Sequence, residues 1–383
     1  MTRLPEWLDP TPWLELAHTA TPAQVRQALA GAEPGERELA ALLSPAADAH
    51  LEELARRALS LTRRHFGRTV SLYAPLYLSN YCSGGCLYCG FAADRRTPRR
   101  RLEPAAVRQE LAAMRAWGCQ DVLLLTGERT AQAGLDYLAE CVGIAAAVMP
   151  SVQVEVFPMP AADYRRLADQ GCTGVTIYQE TYDPARYDHF HRWGPKKDFA
   201  ARLDAPARAL AGGLRQVGLG ALLGLSDPAF DMLALYRHLR HLRQRWWRAG
   251  VSLSFPRIRP QAGGFQAEFP VDDRFLARII WAFRLCLPDV PLVLSTRESP
   301  AFRDGMAGVG INRMSVNSRT TVGGYAVAEG AAIGTGDAAA QFEVSDGRDA
   351  ASFCAMLRAR ALEPVFKNAD AAYREPVGAA AAS

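Results

Sequence analysis

From Ser71 onward, short apolar runs rich in Val, Leu and Ile alternate with longer stretches in which apolar positions recur at helical spacing. The runs at 71–78, 121–126, 152–157, 174–179, 217–223, 251–255, 291–296 and 311–316 read as strands. Helices are readable among them at about 103–117, 131–148, 161–169, 201–212, 229–246 and 273–287. Repeated strand-helix units make a parallel sheet, and eight of them closing on themselves give an α/β fold of the (β/α)8 type. Chemistry in that fold gathers at the carboxyl ends of the strands. The first 68 residues are helical in pattern, with prolines as punctuation and Thr21-Pro22 as an N-cap followed by proline at the first helical position. The expected organisation is therefore a helical extension over 1–68, a barrel over 69–325, and a C-terminal extension over 326–383 packing on the barrel. Within that last part, 326–340 is rich in Ala and Gly and expected to be mobile, and 349–362 should be a helix.

The expected strand ends carry polar groups. Thr126-Gly127-Glu128 follows the second strand, Glu155-Val-Phe157 ends the third, and Gln179-Glu180-Thr181-Tyr182 ends the fourth. The fifth run, Gly218 to Gly224, contains three glycines where a ligand could approach the backbone. Arg257 and Arg259 follow the sixth, between Pro256 and Pro260, and Ser295-Thr296-Arg297-Glu298 follows the seventh. Burying so many polar groups at one rim without a ligand would be costly. Arg297 presents a fork suited to a carboxylate, unless it is spent on Glu298 or another rim acid.

The densest chemistry lies after the first strand, in Cys82-Ser-Gly-Gly-Cys86-Leu-Tyr-Cys89. Three thiols within eight residues, with two glycines to bend the chain, suit one soft metal centre and leave its fourth position open. A helix with three core cysteines is disfavoured, because Gly84 and Gly85 would each cost roughly 1 kcal/mol in its interior. A structural zinc site wants a fourth protein ligand, and the later candidates, Cys119, His189 and His191, are remote in sequence. The basic run Arg95 to Arg101 reads as a solvated loop or as a docking patch for an acidic electron donor. Tyr182 to Trp193 is a long aromatic and histidine-bearing loop that could serve as a lid, and His189 with His191 would make a poor metal site.

Composition narrows the setting. With 44 basic and 40 acidic residues among 383, the formal charge of +4 gives no reason to expect nucleic acid or a membrane surface as partner. The first twenty residues carry Glu6, Asp9 and Glu15 and no secretory core, and the apolar stretch Val142 to Met149 is too short to span a bilayer. Eight cysteines without a disulfide-like spacing, three of them crowded for metal, point to a reducing, cytoplasmic compartment.

C-x-x-x-C-x-x-C with an aromatic before the third Cys resembles the signature of radical S-adenosylmethionine (SAM) enzymes. It implies a radical SAM barrel, with a 4Fe-4S cluster on Cys82, Cys86 and Cys89 and SAM on the open iron. A wider set resembles the tyrosine lyases of thiamine biosynthesis within that superfamily, covering about Leu76 to Tyr325. It comprises Leu76-Tyr-Leu-Ser-Asn80, Cys86-Leu-Tyr-Cys-Gly-Phe91, Leu125-Thr-Gly-Glu128, Tyr178-Gln-Glu-Thr-Tyr182, Gly218 to Asp227, Ser254-Phe-Pro-Arg-Ile-Arg-Pro260, Leu294-Ser-Thr-Arg-Glu-Ser-Pro300 and Gly323-Gly-Tyr325. The resemblance implies that Thr126, Gly127 and Glu128 hold the amino group of SAM and that the fifth strand, with Gly220 and Leu222, meets adenine; Gln179 and Glu180 could bond its ribose hydroxyls or the substrate, or pair with a barrel cation. It implies that Ser295 and Arg297 clamp the carboxylate of L-tyrosine, whose Cα–Cβ bond is cleaved to 2-iminoacetate and 4-methylphenol. Implied partners are thiazole synthase and a flavodoxin-type or ferredoxin-type electron donor. The related lyases of hydrogenase maturation add a second cluster in a cysteine-bearing C-terminal domain, whereas only Cys354 follows the eighth strand here. A lyase acting on tryptophan and a non-enzymatic cysteine-metal module remain the alternatives.

Overall fold

Eight parallel strands close into a barrel: β1 (Thr69–Tyr77), β2 (Asp121–Leu125), β3 (Ser151–Glu155), β4 (Gly174–Glu180), β5 (Gln216–Ala221), β6 (Gly250–Ser254), β7 (Leu292–Leu294) and β8 (Arg313–Ser315). The coordinates are a computed structural model and describe residues 4–32, 34–326 and 340–366. Neighbouring strands pair in chain order, and β1 closes the ring by pairing with both β2 and β8. Strand residues are nearly all buried, because one face looks into the barrel and the other is covered by helices. Several of those helices start on an aspartate whose side chain accepts amide hydrogens of the first turn, as at Asp198, Asp227 and Asp272. Each such cap stabilises its helix by about 1 kcal/mol.

The N-terminal helices Thr11–Thr19, Pro22–Ala30, Glu36–Leu43 and Leu51–Phe66 precede the barrel, and the last two pack on the outer helix Asp273–Cys286. Thr21 caps the second of them through a reciprocal bond with Gln24. Among the described residues no helix is long and apolar enough to cross a membrane.

Two parts of the chain depart from the periodicity. Strands β7 and β8 are three residues long, so Ser295 to Glu298 form a turn beyond the strand, followed by a short helix Pro300–Met306. The expected helix over 349–362 stops at Ala359; Ala361 takes φ 57°, and Glu363–Val365 forms β9, parallel to the start of β1. Local apolar spacing does not reveal a three-residue strand, because its partner is almost three hundred residues away. The stretch 326–340, expected to be mobile, lies outside the described residues apart from its two ends.

Candidate active site

The cysteine loop leaves the end of β1 and is pinned by the segment that follows β4. Gly85 N and Leu87 N donate to the carbonyls of Trp193 and Phe190, and Cys86 bridges His191 in antiparallel fashion. His191 is fully buried. Its Nδ1 lies 2.7 Å from the Tyr187 carbonyl and must donate there, which leaves Nε2 to accept the Tyr88 hydroxyl at 2.7 Å. Burial holds this imidazole well below its usual pKa and therefore neutral. Both nitrogens are occupied, so His191 is an anchor and not a metal ligand, and His189 is exposed on the helix Pro184–Phe190. The stretch read as a lid is thus the wall that the cysteine loop leans on. Gly85 has no room for a side chain there: a Cβ would meet the Trp193 ring at 2.4 Å.

The basic run just after the cysteines is largely spent on the same loop. Arg95 donates to the Leu87 and Cys89 carbonyls, and Arg99 to those of Asn80, Phe91, Ala92 and Arg95. Arg96, Arg100 and Arg101 remain exposed.

Cys82, Cys86 and Cys89 line one side of a cavity of about 630 Å³. Backbone amides of Gly84 and Glu128 point at the Cys82 sulfur, and that of Phe91 at the Cys89 sulfur, each at 3.4 Å. Burial pushes the Cys82 thiol up to about 11 and the Cys86 thiol higher still, so a soft cation is what would bring these sulfurs to thiolate. Among the described residues no three His, Cys, Asp or Glu side chains are grouped to hold a single metal ion. Three sulfurs with converging amide donors around one cavity fit a polynuclear iron-sulfur group instead, whose irons are spread over the space.

Beside the cysteine loop, Glu128 meets Arg202 through Oε1 at 3.3 Å, while its Oε2 is buried without a hydrogen-bond partner. An unpaired buried carboxylate oxygen is costly, and an ammonium-bearing ligand would satisfy it. Arg202 also reaches the Tyr178 carbonyl at 2.7 Å and Glu180 at 3.5 Å, and Lys196 binds Glu180 at 2.6 Å. Burial and Arg202 press the Lys196 ammonium down, but Glu180 and its acidic neighbours leave it above its ordinary value, so it stays charged. Glu180 itself holds φ 72° at a bulge that ends β4, a conformation rare outside glycine and seen where a site over-determines it.

The third wall belongs to Arg297. Glu298, almost fully buried, is taken by Arg257 and Arg259, and among the described residues no acidic oxygen lies within 4.0 Å of Arg297. The guanidinium instead faces two cavities of about 500 and 520 Å³ and rests on the ring of Phe342. Ser295 lines the first of these with it.

The sequence-named residues thus divide. Cys82, Cys86, Cys89, Thr126, Gly127, Glu128 and Glu180 share the 630 Å³ cavity; Leu222 lines the 520 Å³ one. Gln179 turns away, its Nε2 toward the Phe199 carbonyl, and lines none of these cavities. Gly220 is a spacer for the neighbouring strand, since a Cβ would strike Tyr178 at 2.6 Å. Gly127 likewise makes room for the cysteine loop, with Tyr81 O 2.4 Å from a would-be Cβ. Sequence reasoning missed Lys196, Arg202, Gln341 and Phe342. Only the first pair left a signal, as cations shortly after Glu180.

Residues 76–239 match the Radical SAM superfamily, and residues 254–363 match the Biotin and Thiamin Synthesis associated domain. The chain is 42% identical over 351 residues, 91% of each chain, to the 2-iminoacetate synthase of Escherichia coli (strain K12). Among solved structures it is similar to a crystal structure of HydG, a maturase of the FeFe-hydrogenase, with TM-score 0.87 and 28% identity over 95% of this chain and 81% of that one. HydG from Carboxydothermus hydrogenoformans gives TM-score 0.82 at 28% identity over 95% and 82%.

Proposed function

The chain belongs to the 2-iminoacetate synthase family of radical SAM enzymes, and from that premise we propose that it cleaves the Cα–Cβ bond of L-tyrosine to 2-iminoacetate and 4-methylphenol, serving the thiazole moiety of thiamine. The observation that carries the substrate reading is Arg297, a guanidinium without a carboxylate partner, facing cavities that adjoin the cysteine-lined one.

When bound, the reduced 4Fe-4S cluster and SAM supply a 5'-deoxyadenosyl radical that removes a hydrogen atom from the tyrosine amino group. Cys82, Cys86 and Cys89 would hold the cluster. Glu128 Oε2 offers the acceptor for the ammonium of SAM, and Arg202, already bonded to Glu128, lies where a carboxylate could be met. Glu180, fixed by Lys196 and Arg202, faces the same cavity and is suited to ribose hydroxyls. Arg297 and Ser295 would fix the tyrosine carboxylate, which sets the direction of the amino group; orientation, not acid-base strength, is the main contribution of this clamp. The apolar and phenolic barrel lining, including Tyr73, Leu123 and Tyr178, would receive the aromatic ring and exclude water from the imine. The phenols there stay neutral, Tyr73 being lifted to about 12 by burial and Tyr178 well above its usual value.

A thiol-held cluster needs a reducing compartment such as the cytoplasm. A flavodoxin-type or ferredoxin-type protein would supply the electron, and thiazole synthase would take the short-lived imine. The deciding experiment is anaerobic: reconstituted protein with SAM, L-tyrosine and a strong reductant, analysed by chromatography. Joint appearance of 5'-deoxyadenosine and 4-methylphenol supports the reading; 5'-deoxyadenosine without 4-methylphenol, with L-tyrosine left unconsumed, rejects tyrosine. Arg297→Ala should weaken tyrosine binding while uncoupled SAM cleavage survives, and unchanged tyrosine affinity would move the clamp elsewhere.

A further inference from the structure

The three cavities around the site share only three lining residues: Glu155, Tyr178 and Gln341. Glu155, the last residue of β3, is the one ionisable near neutrality. Among the described residues its carboxylate has no ion-pair partner within 4.0 Å, although Arg297, Lys196 and Arg202 all face it. Lys196 and Arg202 are already paired with Glu180 and Glu128. Glu155 and Arg297 therefore form an acid and a base across one space, unpaired with each other. That is the complement of a zwitterion, in which one carbon carries both a carboxylate and an ammonium.

We propose that Glu155 accepts a proton from the α-ammonium of the substrate, so that the amino nitrogen is presented as a neutral amine. The inference rests on the amino-acid lyase function proposed above. The step is heterolytic: one N–H bond of the substrate breaks, one O–H bond forms on Glu155, no electron moves and the net charge of the site is unchanged. Its value is electrostatic. Loss of a hydrogen atom from an ammonium would leave a cationic nitrogen radical in a buried site, where isolated charge is costly; loss from the amine leaves a neutral one. When the products leave, the proton returns to solvent. The groups facing Glu155 are Arg297, Glu180, Lys196 and Arg202, with the phenols of Tyr73, Tyr77 and Tyr178. Burial raises the carboxyl to about 7, so it is ionised, and able to accept, just above neutrality.

The test uses the cluster-loaded, SAM-bound enzyme. Glu155→Gln should weaken L-tyrosine at least about tenfold, the loss of a charged hydrogen bond, without weakening 3-(4-hydroxyphenyl)propionate, which lacks the amine. Formation of 4-methylphenol by the variant should climb about tenfold per pH unit toward ionisation of the free amine, whereas the wild type should level off above neutrality. Glu155→Asp should restore the wild-type profile in part. Equal loss of both ligands, or a variant with unchanged tyrosine affinity and a wild-type profile, overturns the assignment. If Glu155→Gln loses its cluster absorbance, infrared difference spectroscopy on the wild type at pH 8 decides: a protonated-carboxyl stretch appearing on tyrosine binding is expected, and its absence overturns the step. A wild type that makes no 4-methylphenol overturns the tyrosine reading and this assignment with it; one that makes it alongside an unaffected variant overturns only the role of Glu155.

Discussion

The guanidinium carbon of Arg297 lies 3.4 Å from the centroid of the Phe342 ring, which stacks the turn after β7 on the C-terminal segment. The contact places an aromatic platform behind the group read as the substrate clamp. A cation–π contact of this kind is worth about 0.5–2 kcal/mol. Phe342→Ala should therefore raise the tyrosine KM roughly two- to thirty-fold, with 5'-deoxyadenosine formation in the absence of tyrosine retained. An unchanged KM would mean that Arg297 is held sufficiently by its own turn.

Tyr88, between the second and third cysteines, donates to His191 Nε2 in the interior. Tyr88→Phe leaves that nitrogen without a donor, a cost of about 1–3 kcal/mol concentrated on the cysteine loop. The expected outcome is faster bleaching of the cluster absorbance by an iron chelator, with the unfolding midpoint of the barrel little changed. Bleaching at the wild-type rate would show that the backbone pairing of Gly85 and Leu87 suffices.

Arg303 and Asp346 form an ion pair buried on both sides, joined by Arg348. Next to it, Ser345 N and Asp346 N donate to Thr296 O at 3.0 and 3.1 Å, which ties the Phe342 segment to the turn that carries Arg297. Asp346→Ala leaves Arg303 unpaired in the interior and should destabilise the protein by about 3–5 kcal/mol. A lower urea midpoint together with a raised tyrosine KM is expected; a lower midpoint with normal KM would separate the tie from the clamp.

Stability should depend on pH through buried groups of opposite sign. His238, bonded to the Tyr182 hydroxyl at 2.9 Å, is lowered by burial to about 3. Between its ordinary 6.5 and 3 the unfolded chain binds the extra proton, so its contribution is present above about 6.5 and is lost as the pH falls. Asp231 is raised by burial from 3.8 to about 7, so the folded chain binds the extra proton and stability falls as the pH rises through that window. Urea midpoints from pH 7.5 to 5 for wild type and His238→Gln separate the two: the difference between them should shrink with falling pH. A constant difference would mean that His238 does not titrate in the fold.

The barrel was legible because its signals are local. A β-strand or helix is set by spacing over five to fifteen residues, and all eight barrel strands begin and end within two residues of the runs expected from the sequence. The cysteine loop was legible for the same reason, since its three thiols lie within eight residues, and the polar strand ends follow once a barrel is assumed. What remained hidden depends on distances in space between parts remote in the chain. Gln179 and Glu180 are adjacent, yet the bulge and positive φ at Glu180 send one side chain to the helix behind and the other into the cavity.

The sequence alone determined the fold class and the family, because each is carried by residue types at short, fixed spacing. Tertiary structure alone decided that, among the described residues, Arg257 has a carboxylate partner and Arg297 has none, that Gly127 and Gly220 make room for neighbouring protein groups, that Arg95 and Arg99 support a loop, and that Gln341 and Phe342 return to complete the site. Those outcomes turn on which of several candidate partners a side chain meets after packing, and a charge or a glycine looks the same in sequence whichever one it finds.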